Sequence, residues 1–369
     1  MAESRLETVD MFINMGPQHP STHGVFRMVL TIDGEQIVDM KPHIGYLHRG
    51  VEKLAEGLRY REVTVLLDRT DYLAALNNEL PYVMALEKLL DVKVPERAEY
   101  IRVLVCELNR IASHLMFYGA FGADAGATTP FMYAFRDREE IQHFFEAVTG
   151  GRLMHNYFRV GGVRYDLPED WRERLTKLIP HLRKGIVDCE RLLSDNEIFL
   201  NRTIGVGQIS AADAIDYGLT GPNLRACGVR LDLRRDQPYS VYPKLEFDVP
   251  TRSRGDCYDR YLLRVEEMRQ SLRIVEQCLE QMPDGPSLGE VPRVIRPKEG
   301  EVYVGTENPR GEYGIYLVSR GGDYPYRVKV RAPSFCNLMA LNEMMRGCYI
   351  ADCVLILGSI DIVLGEVDR

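Results

Sequence analysis

Apolar and polar residues alternate from Phe26 to Ile32, with Phe26, Met28, Leu30 and Ile32 at every second place, so a strand with one buried face is predicted there. A second extended run covers 35–42, and the two flank Asp33-Gly34, a dipeptide that signals a two-residue hairpin turn. Residues 16–24 (GPQHPSTHG) are too rich in turn formers for regular structure and predict a loop. After Val51 the period lengthens. Leu73, Leu76, Leu80, Val83, Leu86 and Leu90 predict a helix over 71–90, bent at Pro81. Ile101, Leu104, Leu108, Ile111 and Leu115 predict the next, stopped by Gly119 and Gly122. Further helices are expected over 136–148, 171–193 and 257–282. In the last of these Leu262, Val265, Met268, Leu272, Val275 and Leu279 form the buried stripe, and Arg264, Glu266, Glu267 and Arg269 read as a solvated face. Residues 201–254 are irregular, and strands return at 301–305, 313–319 and 326–331. The expected fold is α+β and mainly helical: a β hairpin unit over 1–50, a helical body over 51–290 and an α+β lobe over 291–369.

Composition narrows the function classes. Lys plus Arg is 46 and Asp plus Glu is 54, a net charge of −8, which argues against a nucleic-acid binder. The first ten residues are polar and acidic and do not read as a signal peptide. No run reaches the roughly 18 apolar residues of a spanning helix, because Asp352 and Asp361 interrupt the best stretch, so membrane association is expected through partners. The eight cysteines include no C-x-x-C pair, and no metal is expected in this chain.

Common catalytic motifs are missing: no G-x-S-x-G, no phosphate-binding loop after a strand, no H-E-x-x-H. Four histidines, His19, His23, His43 and His48, fall within thirty residues. His43 and His48 read as surface or turn residues. His19 and His23 lie in the glycine- and proline-flanked loop, whose backbone can approach a ligand closely. Pro20 opposes the helix that a metal-binding His-x-x-x-His pair would need, so hydrogen-bonding histidines are expected. Asp68 and Asp71 suit a helix start as caps, which leaves Tyr72 unexplained, since a buried phenol needs a partner. Asp124, among small residues, reads equally as a turn residue and as a proton carrier.

Residues 16–24 (GPQHPSTHG), 43–54 (HIGYLHRGVEKL), 247–258 (FDVPTRSRGDCY) and 358–369 (GSIDIVLGEVDR) closely resemble the hydrogenase-like core subunit of proton-pumping NADH–quinone oxidoreductases, the respiratory complex I family. The resemblance runs from about Phe12 to Arg369. It implies a body like the large subunit of nickel–iron hydrogenases, in which two C-x-x-C motifs hold the metal. Here those places read Arg69-Thr70-Asp71-Tyr72 and Asp361-Ile362-Val363-Leu364, without cysteine. The resemblance further implies that the vacated cavity ends a quinone chamber against a neighbouring subunit carrying the terminal 4Fe–4S cluster. His23 and Tyr72 match the quinone-head ligands, Asp124 the carboxylate beside that histidine, and Arg49 an arginine near the cluster, with His19 as loop support. Met154 stands where mitochondrial members have a cluster-tuning histidine, with His155 one place later.

The implied partners are the terminal-cluster subunit, adjacent peripheral-arm subunits and the membrane-arm subunit at the quinone entrance, in an obligate hetero-oligomer on the cytoplasmic face of the membrane. No cofactor is expected in this chain, and quinone is its substrate. The compact connection at 297–300 leaves NADH, ferredoxin or another donor open as the electron source, and a non-catalytic scaffold is the alternative outside enzymology. Tyrosine and histidine suit quinone reduction, because a phenol of pKa ~10 and an imidazole of pKa ~6.5 can each donate a hydrogen bond, then a proton, to a carbonyl oxygen.

Overall fold

The computed structural model describes residues 10–18 and 23–369. The chain is a mixed α+β structure, about half helical, with small antiparallel sheets towards either end. The first sheet joins Met11–Met15, Arg27–Asp33 and Gln36–His43. Phe26, Met28, Leu30 and Ile32 are all buried, as their alternation requires. The hairpin turn falls one residue later than expected: Asp33 pairs with Gln36, Gly34 takes a φ of 62°, and a register shift between Thr31 and Ile32 absorbs the odd residue.

Helix Trp171–Leu193 keeps its expected bounds, and helix Cys257–Gln281 starts from an Asp256 side chain that accepts the Asp259 N–H at 2.8 Å. Two expectations fail nearby. The central helix runs Glu96–Asp124, straight through both glycines. Gly119 and Gly122 are there for close approach: a Cβ at either would lie 3.2–3.3 Å from Phe131 Cα or Pro130 Cβ of helix Thr129–Thr149. This extension places Asp124 on the last helical turn.

The other failure concerns the supposed solvated face of helix Cys257–Gln281. Arg264 and Glu267 are buried. Arg264 lies 4.3 Å over the Phe117 ring and donates to the Ser359 carbonyl at 3.0 Å. Glu267 contacts His114 Nε2 at 2.9 Å and Arg225 Nη2 at 2.6 Å. Their partners come from remote segments, so helical periodicity alone misassigns them.

Strands Gly300–Asn308, Gly311–Ser319 and Arg327–Arg331 form the second three-stranded sheet, packed on helix Ala75–Leu90 through Val304, Ile315, Leu317, Tyr82 and Leu86. The segment from helix Ile350–Ser359 to helix Leu364–Asp368 turns back into the middle of the molecule, where Leu355, Ile356, Leu357 and Val367 are buried. Among the described residues no helix is long and apolar enough to cross a membrane.

Candidate functional site

His23 is the first described residue of the loop after position 18, with a φ of 51° that non-glycine residues seldom adopt. Its Nε2 lies 2.9 Å from Asp124 Oδ2, but the two atoms are not aligned as a hydrogen bond. Both side chains are about one-fifth exposed. The pair rests on Gly358: a Cβ there would stand 2.8 Å from Asp124 Oδ2 and 3.2 Å from His23 Nε2. Any side chain at 358 would wedge the pair apart.

Residues 361–365 continue this floor. Leu364 Cδ1 comes within 3.2 Å of where Gly24 would carry a Cβ, and Gly365 packs on the Thr70 carbonyl, 2.8 Å from its own virtual Cβ. Residues 45–51 close over the same end of the chain. Gly45 and Leu47 N–H donate to the Asp368 carboxylate, and His48 Nδ1 lies 2.7 Å from the Asp368 carbonyl. His48 is therefore a turn residue on Asp368, and His43 is exposed. Arg49 is exposed before helix Val51–Glu56, with no ion-pair partner among the described residues. His19 lies outside the described residues.

Neither Asp68 nor Asp71 caps a helix, because helix Ala75–Leu90 begins after both and lacks a side-chain cap. Both carboxyls are buried. Asp68 Oδ2 accepts the Asn156 N–H at 2.9 Å. Asp71 Oδ2 binds Arg310 Nη1 at 2.7 Å, while its Oδ1 accepts the Leu73 N–H at 3.1 Å. Tyr72 is not enclosed: the residue is 38% exposed, at the end of a turn whose preceding residues point inward. Burial raises the pKa of its phenol, Asp71 raises it further, and Arg310 opposes them. The two hydrogenase-related segments thus meet, and Arg310 bridges them by reaching Asp361 Oδ1 at 3.3 Å. Glu366 completes the cluster. Burial first and Asp71 second push its carboxyl up to about 8, although it accepts from Ser334 Oγ at 2.7 Å.

Sequence reasoning missed Arg310, Gly358 and Glu366. A single cue existed for Arg310, an arginine in the Asn308-Pro309-Arg310-Gly311 turn, where side chains usually face water. His155 is buried, and that burial holds its imidazole down at about 4, despite Nδ1 lying 3.2 Å from the Gly151 carbonyl. Among the described residues no group of three or more His, Cys, Asp or Glu is arranged to hold a metal ion.

Comparison with known proteins adds an independent line. The family model for the 49 kDa subunit of the respiratory-chain NADH dehydrogenase matches residues 124–299 and 290–369. The D-type NADH-quinone oxidoreductase subunit of Desulforamulus reducens is 53% identical over 363 residues, spanning 98% of this chain and 99% of its own length. The protein of that name in Geobacillus thermodenitrificans is 51% identical over 364 residues, 98% of this chain and its own full length. The Clostridium beijerinckii protein of that name is 50% identical over 367 residues, covering this chain fully. With this identity sustained from end to end, the chain belongs to the D-type subunit family of NADH-quinone oxidoreductase, the 49 kDa subunit of the electron-transport enzyme complex I.

Proposed function

We propose that this chain forms the head-group end of a quinone site, with Tyr72 and His23 each donating a hydrogen bond to one quinone carbonyl. The observation that carries this reading is the His23–Asp124 contact of 2.9 Å on Gly358, joined through residues 361–365 to the turn that bears Tyr72. Reduction of a quinone to a quinol takes two electrons and two protons. The electrons come from the 4Fe–4S cluster of a neighbouring subunit, and Tyr72 and His23 supply protons as negative charge develops on the oxygens. Asp124 takes part in reprotonating His23 across their contact. Tyr72 and Arg49 are both on the exposed side of the site, which suits a chamber completed by the cluster subunit, with the membrane-arm subunit at its entrance and other peripheral-arm subunits around it. His19 belongs to the same loop as His23 and supports it. The body is that of a hydrogenase large subunit without its metal, held on the cytoplasmic face of the membrane by its partners. The compact connection at 297–300 is shared with relatives of nearly the same length, so it does not by itself mark a different electron donor.

The test is quinone reductase activity of assembled complexes carrying Tyr72→Phe or His23→Ala. Loss of one neutral hydrogen bond costs about three- to tenfold, and loss of a general acid approaches ~100-fold or more. Reduction of the terminal cluster by the electron donor should persist in both variants. Near-normal turnover in both assembled variants would overturn the assignment.

A further inference from the structure

Arg310 is the least expected residue of the region. It occupies the turn between strands Gly300–Asn308 and Gly311–Ser319, yet only 1% of its side chain is exposed. Burying a guanidinium carries a large desolvation cost unless its charge is met by fixed partners. Three partners meet it: Asp71 Oδ2 at 2.7 Å, Ser113 Oγ at 3.1 Å and Asp361 Oδ1 at 3.3 Å. Its backbone is also fixed, since the Arg310 carbonyl accepts from Asn337 Nδ2 at 3.0 Å.

Each side-chain partner belongs to a different strut of the candidate site. Asp71 immediately precedes Tyr72. Ser113 lies on helix Glu96–Asp124, whose last residue faces His23. Asp361 donates its N–H to the carbonyl of Gly358, the residue on which His23 and Asp124 rest. The planar fork of an arginine presents several donors in fixed directions, which a lysine cannot reproduce. The guanidinium therefore ties three separately folded segments at one point.

We propose that Arg310 is the positioning residue of this site, holding the Tyr72 side and the His23–Asp124 side in register through Asp71, Ser113 and Asp361. The inference rests on the quinone-site reading above. Arg310 itself touches no substrate. Its effect passes through Tyr72 on one side and through Gly358 on the other.

Arg310→Lys, Tyr72→Phe and the double variant in the assembled complex test this, with 2,3-dimethyl-1,4-naphthoquinone as a tail-less probe. Two readouts are taken, steady-state kcat and KM, and equilibrium binding of the probe to the oxidised complex. Arg310→Lys keeps the positive charge and loses the fork, so kcat/KM should fall about tenfold and probe binding should weaken. In the Tyr72→Phe background the same change should cost only about twofold, because the group it positions is already gone. An additive cost, or no cost, in a complex where Tyr72→Phe is itself impaired would overturn the inference and leave the site reading standing. A silent Tyr72→Phe would instead overturn the site reading, and this inference with it. If Arg310→Lys does not assemble, Asp361→Asn decides, since it conserves volume and cuts only the arm towards Gly358. Its cost, about threefold or more, should vanish in the His23→Ala background. An additive cost there overturns the inference.

Discussion

Glu107 and Glu366 are both fully buried glutamates, yet they sit at opposite ends of the acidity range. Burial works against the charge of Glu107, but Arg110 at 3.2 Å and Arg234 at 3.1 Å outweigh it, and Tyr242 and Ser271 donate at 2.6 and 2.7 Å. Its carboxyl is brought down to about 2. Glu366 has a single hydroxyl donor, an Oε1 without a hydrogen-bond partner and Asp71 as a neighbour, and it is pushed up to about 8. Burial makes either outcome possible, and the sign follows the neighbours. The first glutamate belongs to a locked framework that also includes Asp232, Arg225 and Glu267. The second lies in the cluster beside the proposed quinone ligand, where a proton can be held or released near neutrality.

The strongest way to break this contrast is to spoil the framework. Arg234→Met takes one of two arginines from Glu107 and leaves Asp232 with Arg225 alone, at 4.0 Å. A buried carboxylate stripped of its partner costs about 3–5 kcal/mol, so this variant should fail to accumulate in the assembled complex, as immunoblots of purified membranes would show. A smaller effect is expected from Glu366→Gln. The Glu366 carboxyl is raised from 4.5 to about 8, so between those values the folded chain holds a proton that the unfolded chain has lost. Its contribution is full below about pH 4.5 and is lost as pH rises through 8, a change of a few kcal/mol. The apparent Tm of the complex should therefore fall with rising pH across this window, and Glu366→Gln should flatten the dependence. An unchanged slope would remove Glu366 from the titrating side of the comparison. The smallest effect is expected at the surface pair Glu173–Lys177, one helical turn apart and mostly exposed. Lys177→Ala should shift stability by no more than about 0.5 kcal/mol, in a urea titration that sets the floor for the other two variants.

The sequence reveals elements whose partners are local and misleads where the partner is remote. Helix Trp171–Leu193 is legible because one face is apolar along its whole length, and strand Arg27–Asp33 because its burial alternates. Gly119 and Gly122 look like stops, since nothing within the helix tells that Phe131 and Pro130 will press against them. Arg264 and Glu267 look solvent-facing for the same reason: the groups that make their burial tolerable are Asp361, His114 and Arg225. At the candidate site, His23, Tyr72 and Asp124 come from family resemblance, whereas spacing alone leaves Asp124 undecided. Gly358 and Arg310 stay invisible, because their roles exist only once residues hundreds of positions apart have met.

That separation has a consequence for how the protein is made. The Met40 N–H is satisfied by Asn342 Oδ1, 302 residues later, and the Gly45 N–H by Asp368 Oδ1, 323 residues later. At roughly 5–20 residues per second, a ribosome needs on the order of 15–60 s to supply those partners after the first hairpin emerges. Throughout that interval the apolar face of Met28, Leu30 and Ile32 has no cover from the segment that finally buries it. The nascent chain is thus a natural client for a holding chaperone, and slowing translation beyond residue 300 should lengthen that dependence without altering the finished protein.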